Sequence, residues 1–111
     1  MKLFVYGTLK RGQANHNILK PGKFIDTDAI EGWEMRSTMF FPAINEKKGV
    51  FVTGEVYEIN PEILKKTDRL EGFPLHYSKK MVKTVGGHDV WVYYYKEINR
   101  KLEVIKSGCW D

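Results

Sequence analysis

Glu71 is the acidic residue of this sequence whose local setting best suits proton transfer. It closes a helical stretch that opens at Pro61, and Leu64 and Glu71, seven positions apart, share a helical face with Ile63, Thr67 and Leu70 beside them. The carboxylate is therefore expected on or next to a buried stripe. Partial burial and the negative end of the helix dipole both disfavour its charge, so both raise its pKa toward the range in which a general base works near neutrality. By position alone a glutamate at a helix end is more often solvated, and that reading stands beside the first.

A second candidate is the loop Gly7-Thr8-Leu9-Lys10-Arg11-Gly12, which follows an apolar strand. Its two glycines match the start of a phosphate-binding loop. Gln13-Ala14 stands where the Lys-Ser/Thr pair of such a loop belongs, so the groups that hold terminal phosphates and metal are missing. What remains is a run of backbone N–H groups able to face an anion or a carbonyl oxygen, with Gly7 permitting close approach. A plain strand-ending turn is the alternative.

The other reactive side chains offer less. His16, His76 and His88 lack metal-ligand spacing, and Cys109 has no second cysteine beside it, so no metal is expected. Cys109 reads as a small packed residue more than as a nucleophile. Trp91, Tyr93 and Tyr95 share one face of a strand and Val90, Val92 and Tyr94 the other. Such an aromatic face is able to stack bases, although core packing is its commoner use.

These residues need elements to position them. Residues 2–6 read as a buried first strand, and Ala14 to Leu19 as a short helix stopped by Pro21-Gly22. Phe24 to Met35 is strand-like in two pieces broken near Gly32, and Phe51 to Ile59 is a clearer alternating strand. Asn60 as N-cap, Pro61 at the first helical position, Glu62 in the first turn and Gly72 just past the end mark the best helix of the chain. Tyr77 to Val85 and Asp89 to Ile98 flank the turn signal Gly86-Gly87, and Leu102 to Ile105 adds a last short strand. Strands outnumber helices and no βαβ alternation is present. The expected class is α+β, with a small, mostly antiparallel, barrel-like sheet and short helices.

Composition sets the outer bounds. With 111 residues, 42% of them hydrophobic, the chain is expected to form one domain spanning 1–111. Charged residues at 29% without a low-complexity tract exclude a disordered chain. No apolar run is long enough to cross a bilayer as a helix, and the apolar N-terminal run ends at Gly7. Together with the single cysteine, this sets the expectation of a soluble, cytoplasmic protein without a membrane partner. The net charge of +4 comes from interleaved signs, as in Glu46-Lys47-Lys48, so nucleic-acid binding is allowed but not indicated.

Two longer motifs carry a resemblance. Val5-Tyr6-Gly7-Thr8-Leu9-Lys10-Arg11-Gly12 and Asp68-Arg69-Leu70-Glu71-Gly72-Phe73-Pro74 with Tyr77 resemble the gamma-glutamylcyclotransferase-like family. Phe41-Pro42-Ala43-Ile44, Gly54-Glu55-Val56-Tyr57, Val90-Trp91-Val92-Tyr93 and Ser107-Gly108 before Trp110 extend it, in family order, over nearly the whole chain. The family often has an acidic residue where Cys109 stands. The resemblance implies a compact barrel-like fold in which the Tyr-Gly-Thr-Leu loop and the glutamate line one cavity. It also implies a cofactor-free reaction on a small-molecule γ-glutamyl amide or peptide, releasing 5-oxoproline and a free amine. Glu71 is then the general acid/base, Gly7, Thr8 and Leu9 supply main-chain donors to substrate, and Tyr6, Tyr77 and Tyr93 are candidate pocket hydroxyls. Two alternatives stay open: a non-catalytic module binding a small acidic metabolite on the same fold, and a nucleic-acid-binding β-domain using Lys and Arg around Trp91 and Tyr93.

Overall fold

A computed structural model describes all residues, 1–111. Strand β1 (Lys2–Val5) leads through the Gly7–Gly12 loop and a 3-10 helix (His16–Leu19) to β2 (Lys23–Ser37) and β3 (Pro42–Glu58). Helix α1 (Pro61–Glu71) is followed by β4 (Ser78–Lys83), β5 (Asp89–Tyr94) and the two-residue β6 (Glu103–Val104). The strands form one curled sheet in the order β4-β5-β1-β3-β2-β6. All neighbours run antiparallel except β1 and β5, which meet in parallel at Leu3 and Trp91. The mostly antiparallel, barrel-like expectation holds, with this one parallel pair making the sheet mixed.

Period-two alternation gives the sheet two buried faces. Leu3 and Val5 of β1 join Tyr57, Tyr93 and Ile63 in one cluster, against which Ile18, Leu64, Trp91 and Tyr95 pack. Phe4 and Tyr6 point the other way, joining Val90, Val92, Ile30, Trp33 and Val52. The expected faces of β5 are therefore correct, and the aromatic one belongs to the core. Tyr93 is buried there, and Trp91 and Tyr95 are partly buried against the same cluster.

Several boundaries differ from expectation for tertiary reasons. The 24–35 segment is one continuous strand with register shifts between Phe24 and Asp26 and between Glu31 and Trp33. Gly32 at φ 88° sits in the second, so the expected break is a bulge spanned by pairing to β3. Strand β3 starts at Pro42, nine residues before the alternating pattern at Phe51. In the exposed polar stretch Glu46-Lys47-Lys48-Gly49 only Glu46 has a β2 partner, Trp33, and residues 47–50 form the β3 side of the same irregularity. The helix expected at 14–19 is reduced to the 3-10 turn at His16–Leu19.

Helix α1 follows its capping signals. Asn60 Oδ1 accepts from the Ile63 N–H at 2.8 Å, and Gly72, left-handed at φ 65°, ends the helix as the Phe73 N–H turns back to the Asp68 carbonyl at 2.9 Å. A buried polar group unmarked in the sequence ties down the C-terminal tail. Arg36 donates to Glu34 Oε1 at 2.9 Å, to Asn45 Oδ1 at 3.2 Å, and to the carbonyls of Arg100 and Leu102 at 3.0 and 2.9 Å.

Gly54 of β3 packs tightly against β1. A Cβ there would collide with the Val5 carbonyl oxygen and lie 2.8 Å from Phe4 Cζ, both in the strand that leads into the loop. Gly54→Ala is expected to destabilise the fold by about 2–3 kcal/mol through overpacking, lowering the melting midpoint by on the order of 10 °C. An unchanged thermal melt would mean that β3 has room to draw away from β1.

Candidate active site

Helix α1 turns the row Ile63, Thr67 and Glu71 inward, each four residues after the last. Ile63 and Thr67 are fully buried and Glu71 is half-buried, whereas Leu70, expected beside the stripe, is turned to the surface. Two residues of the last turns fix this orientation. The Thr67 hydroxyl lies 2.8 Å from Tyr93 Oη, and Asp68 accepts the Tyr93 hydroxyl at 2.5 Å and the Lys79 ammonium at 3.0 Å on both oxygens. The helix end is thus fastened to β4 and β5. Glu71, one turn on, falls beneath the end of β1.

Burial pushes the Glu71 carboxyl from the ordinary value near 4.5 up to about 7. No cation or hydrogen-bond donor offsets the lost hydration, so desolvation alone sets the direction.

The loop after β1 is tied by its carbonyls. Lys10 N–H donates to the Gly7 carbonyl at 3.0 Å and Asn15 N–H to the Thr8 carbonyl at 2.9 Å, while the N–H groups of Gly7, Thr8 and Leu9 donate to no protein acceptor. Thr8 Oγ1 accepts from the Asn15 amide at 3.0 Å, bracing the loop from inside. Gly7 is required for a reason other than ligand approach: a Cβ there would lie 2.6 Å from Cγ and 2.9 Å from Cδ of Pro42. The space a side chain would fill belongs to the first residue of β3.

These parts meet in one cavity of about 330 Å³. Tyr6, Gly7, Thr8, Leu9, Glu71, Tyr77 and Tyr93 all line it, so every sequence-predicted site residue is gathered there. Asn15, Phe40, Phe41, Pro42 and Leu70 also line it, and Glu71 is its only charged side chain. The apolar run Met39-Phe40-Phe41 before Pro42, unusual for a turn between strands, is the signal that would have located the rim. The tyrosine hydroxyls differ from expectation, because each is already committed to the scaffold. Tyr6 donates to the Tyr93 carbonyl at 2.7 Å, Tyr77 to the Pro42 carbonyl at 2.9 Å, and Tyr93 to Asp68. Burial raises the pKa of all three, and the nearby Glu71 charge adds to it.

Cys109 lies outside this cavity, its Sγ 3.9 Å from Lys10 Nζ. None of the three histidines lines the cavity, although His16 Nδ1 lies 3.0 Å from the carbonyl oxygen of Leu9, a lining residue. No group of three or more His, Cys, Asp or Glu side chains gathers to hold a metal ion.

Residues 3–111 match the family described as gamma-glutamyl cyclotransferase, AIG2-like. The gamma-glutamylcyclotransferase family protein YtfP of Escherichia coli is 29% identical over 110 residues, covering 99% of this chain and 96% of that protein. Among solved structures, an AIG2-like protein of Mus musculus superposes with a TM-score of 0.86 at 26% identity, over 99% of this chain and 87% of its own. An uncharacterized protein of Pyrococcus horikoshii gives a TM-score of 0.84 at 30% identity, over 98% and 88%.

The raised carboxyl has a consequence for stability. The folded state holds the Glu71 proton more tightly than the unfolded state, so the residue costs nothing below pH 4.5 and destabilises progressively as pH rises through about 7. The full cost is on the order of 3 kcal/mol. Glu71→Gln is therefore expected to melt several degrees above wild type at pH 8.5 and close to it at pH 4.5, as read by thermal melts across that range. A gap independent of pH would mean that the carboxylate is solvated.

Proposed function

The chain belongs to the AIG2-like gamma-glutamyl cyclotransferase family, and on that footing we propose that it converts a γ-glutamyl amide or peptide to 5-oxoproline and a free amine, with Glu71 as general acid/base and the whole chain acting as one cytoplasmic domain. The observation that carries the proposal is the pairing in one cavity of an uncompensated carboxyl tuned to about 7 with three consecutive unpaired backbone N–H groups.

Ring closure joins two parts of one substrate molecule, so the protein chiefly has to hold the α-nitrogen against the γ-carbonyl carbon and stabilise the oxyanion that forms. Glu71, ionised, takes a proton from the α-ammonium, and the freed amine attacks the carbonyl. The bond from that carbon to the departing nitrogen then breaks as the nitrogen is protonated. Of the three protons on the α-ammonium one stays in the lactam, and Glu71 transfers the other two, one at a time, to the amine, which leaves as an ammonium. A pKa near 7 suits both halves of this cycle. The tyrosines leave the work to Glu71, since their protons are held by Asp68 and by main-chain carbonyls and their pKa values are raised. With no lysine or arginine lining the cavity, negative charge on the substrate falls to the Gly7, Thr8 and Leu9 amides and the Asn15 side chain.

Glu71→Gln keeps the shape and removes the base. Its turnover of the best substrate from a γ-glutamyl amide and dipeptide panel, followed as 5-oxoproline release, is expected to fall by about a hundredfold to ten-thousandfold, with substrate affinity changing far less. Wild-type kcat/KM is expected to rise with pH through a pKa near 7. Unchanged turnover in the variant overturns the role of Glu71.

A further inference from the structure

His16 holds the Gly7–Gly12 loop without lining the cavity. Its Nδ1 lies 3.0 Å from the Leu9 carbonyl oxygen, and because a carbonyl only accepts, Nδ1 carries the proton and donates it. The imidazole is seated against the ring of Tyr57 in β3, 5.8 Å between centroids. Tyr57 donates to Glu55 Oε1 at 3.0 Å, and the same oxygen accepts the Arg11 N–H at 2.9 Å. The loop is thus braced at Leu9 and at Arg11 by one connected set of side chains.

The peptides of the loop are trans, so the carbonyl of one residue and the N–H of the next point in opposite directions. Pinning a carbonyl therefore aims the amide that follows it. With the Leu9 carbonyl held by His16, the Lys10 N–H turns back to the Gly7 carbonyl, which it meets at 3.0 Å. With the Gly7 carbonyl held in turn, the Thr8 N–H is aimed the other way. Asn15 does the same for the Leu9 N–H by donating its own N–H to the Thr8 carbonyl at 2.9 Å. Asn15 also lines the cavity and His16 does not, so a change at His16 reaches the substrate through the loop.

Resting on the reaction proposed above, we infer that His16 is a positioning residue for it: by donating from Nδ1 to the Leu9 carbonyl, it fixes through two peptide planes the direction of the Thr8 N–H that receives negative charge from the substrate. The role belongs to the donor and not to the ring. A phenyl in place of the imidazole keeps an aromatic surface for Tyr57 and removes the donor, whereas an asparagine carries its amide nitrogen at the δ position, where Nδ1 stands.

The test compares wild type, His16→Phe and His16→Asn by 5-oxoproline release from the best γ-glutamyl substrate, at a temperature where thermal melts show all three folded. In His16→Phe kcat/KM is expected to fall by about tenfold to a hundredfold, the scale on which a misplaced group costs rate. His16→Asn is expected to stay within about threefold of wild type. Backbone 15N relaxation of the same three proteins without substrate reads the loop directly: the order parameters of the Thr8 and Leu9 amides drop in His16→Phe and hold in His16→Asn. Undiminished kcat/KM in His16→Phe, or an equal loss in both variants, overturns the inference while the reaction stands. If wild type releases no 5-oxoproline from any substrate of the panel, the reaction fails and relaxation decides. Amides loosened in His16→Phe and kept in His16→Asn then uphold the hold of His16 on the loop, and amides unchanged in His16→Phe overturn it.

Discussion

Tyr93 gives its hydroxyl proton to Asp68 while Lys79 sets its ammonium 3.0 Å from both oxygens of the same carboxylate, and Thr67 meets the same tyrosine oxygen at 2.8 Å. The Lys79 charge is further covered by the rings of Phe73 and Trp91, 4.5 and 5.1 Å away. A half-buried ion pair holds only when both partners are satisfied in this way. Its result is mechanical: the last turns of α1 cannot rotate or fray away from β4 and β5. Glu71 is carried three residues past Asp68 on that fixed turn, so a carboxylate with no partner of its own stays under the sheet despite its lost hydration.

The opposite wall is held by contacts just as specific. Pro42 fills the space beside Gly7, and its carbonyl takes the Tyr77 hydroxyl at 2.9 Å. One residue at the start of β3 therefore braces both the loop after β1 and the tyrosine that begins the 77–83 segment. The loop's carbonyls are engaged by Lys10 and Asn15 and its amides are left over. The Gly7, Thr8 and Leu9 amides and the Glu71 carboxylate, none with a protein hydrogen-bond partner, belong to residues that line the same cavity. Polar groups left unpaired near a core are costly, and the meeting of these four in one cavity gives the site its chemical meaning.

The division of labour among the tyrosines follows from the same accounting of protons. Tyr6, Tyr77 and Tyr93 shape the cavity with their rings and spend their hydroxyls on the scaffold, which makes the site rigid and leaves it a single titrating group. Family membership and this geometry address different questions. The family states what kind of protein the chain is, and the geometry gathers one carboxyl and three unpaired backbone amides in one cavity.

Much of the fold was legible because its signals are local. Helix α1 is written in Asn60, Pro61 and Gly72, since caps satisfy backbone groups within a few residues. The two faces of β5 are written in alternation, since a pleated strand sends neighbouring side chains to opposite sides. The approach of Glu71 to the Gly7 loop followed from the helical face and from the motifs in combination. What only the tertiary structure decided was everything set by partners distant in the chain. It extended β3 back to Pro42, turned the break at Gly32 into a bulge, assigned the Gly7 space to Pro42 and consumed the tyrosine hydroxyls. It also supplied the burial that raises the Glu71 pKa. Spacing along a sequence fixes which way a side chain points; whether water, a proton acceptor or another residue lies there depends on segments that fold back from dozens of positions away.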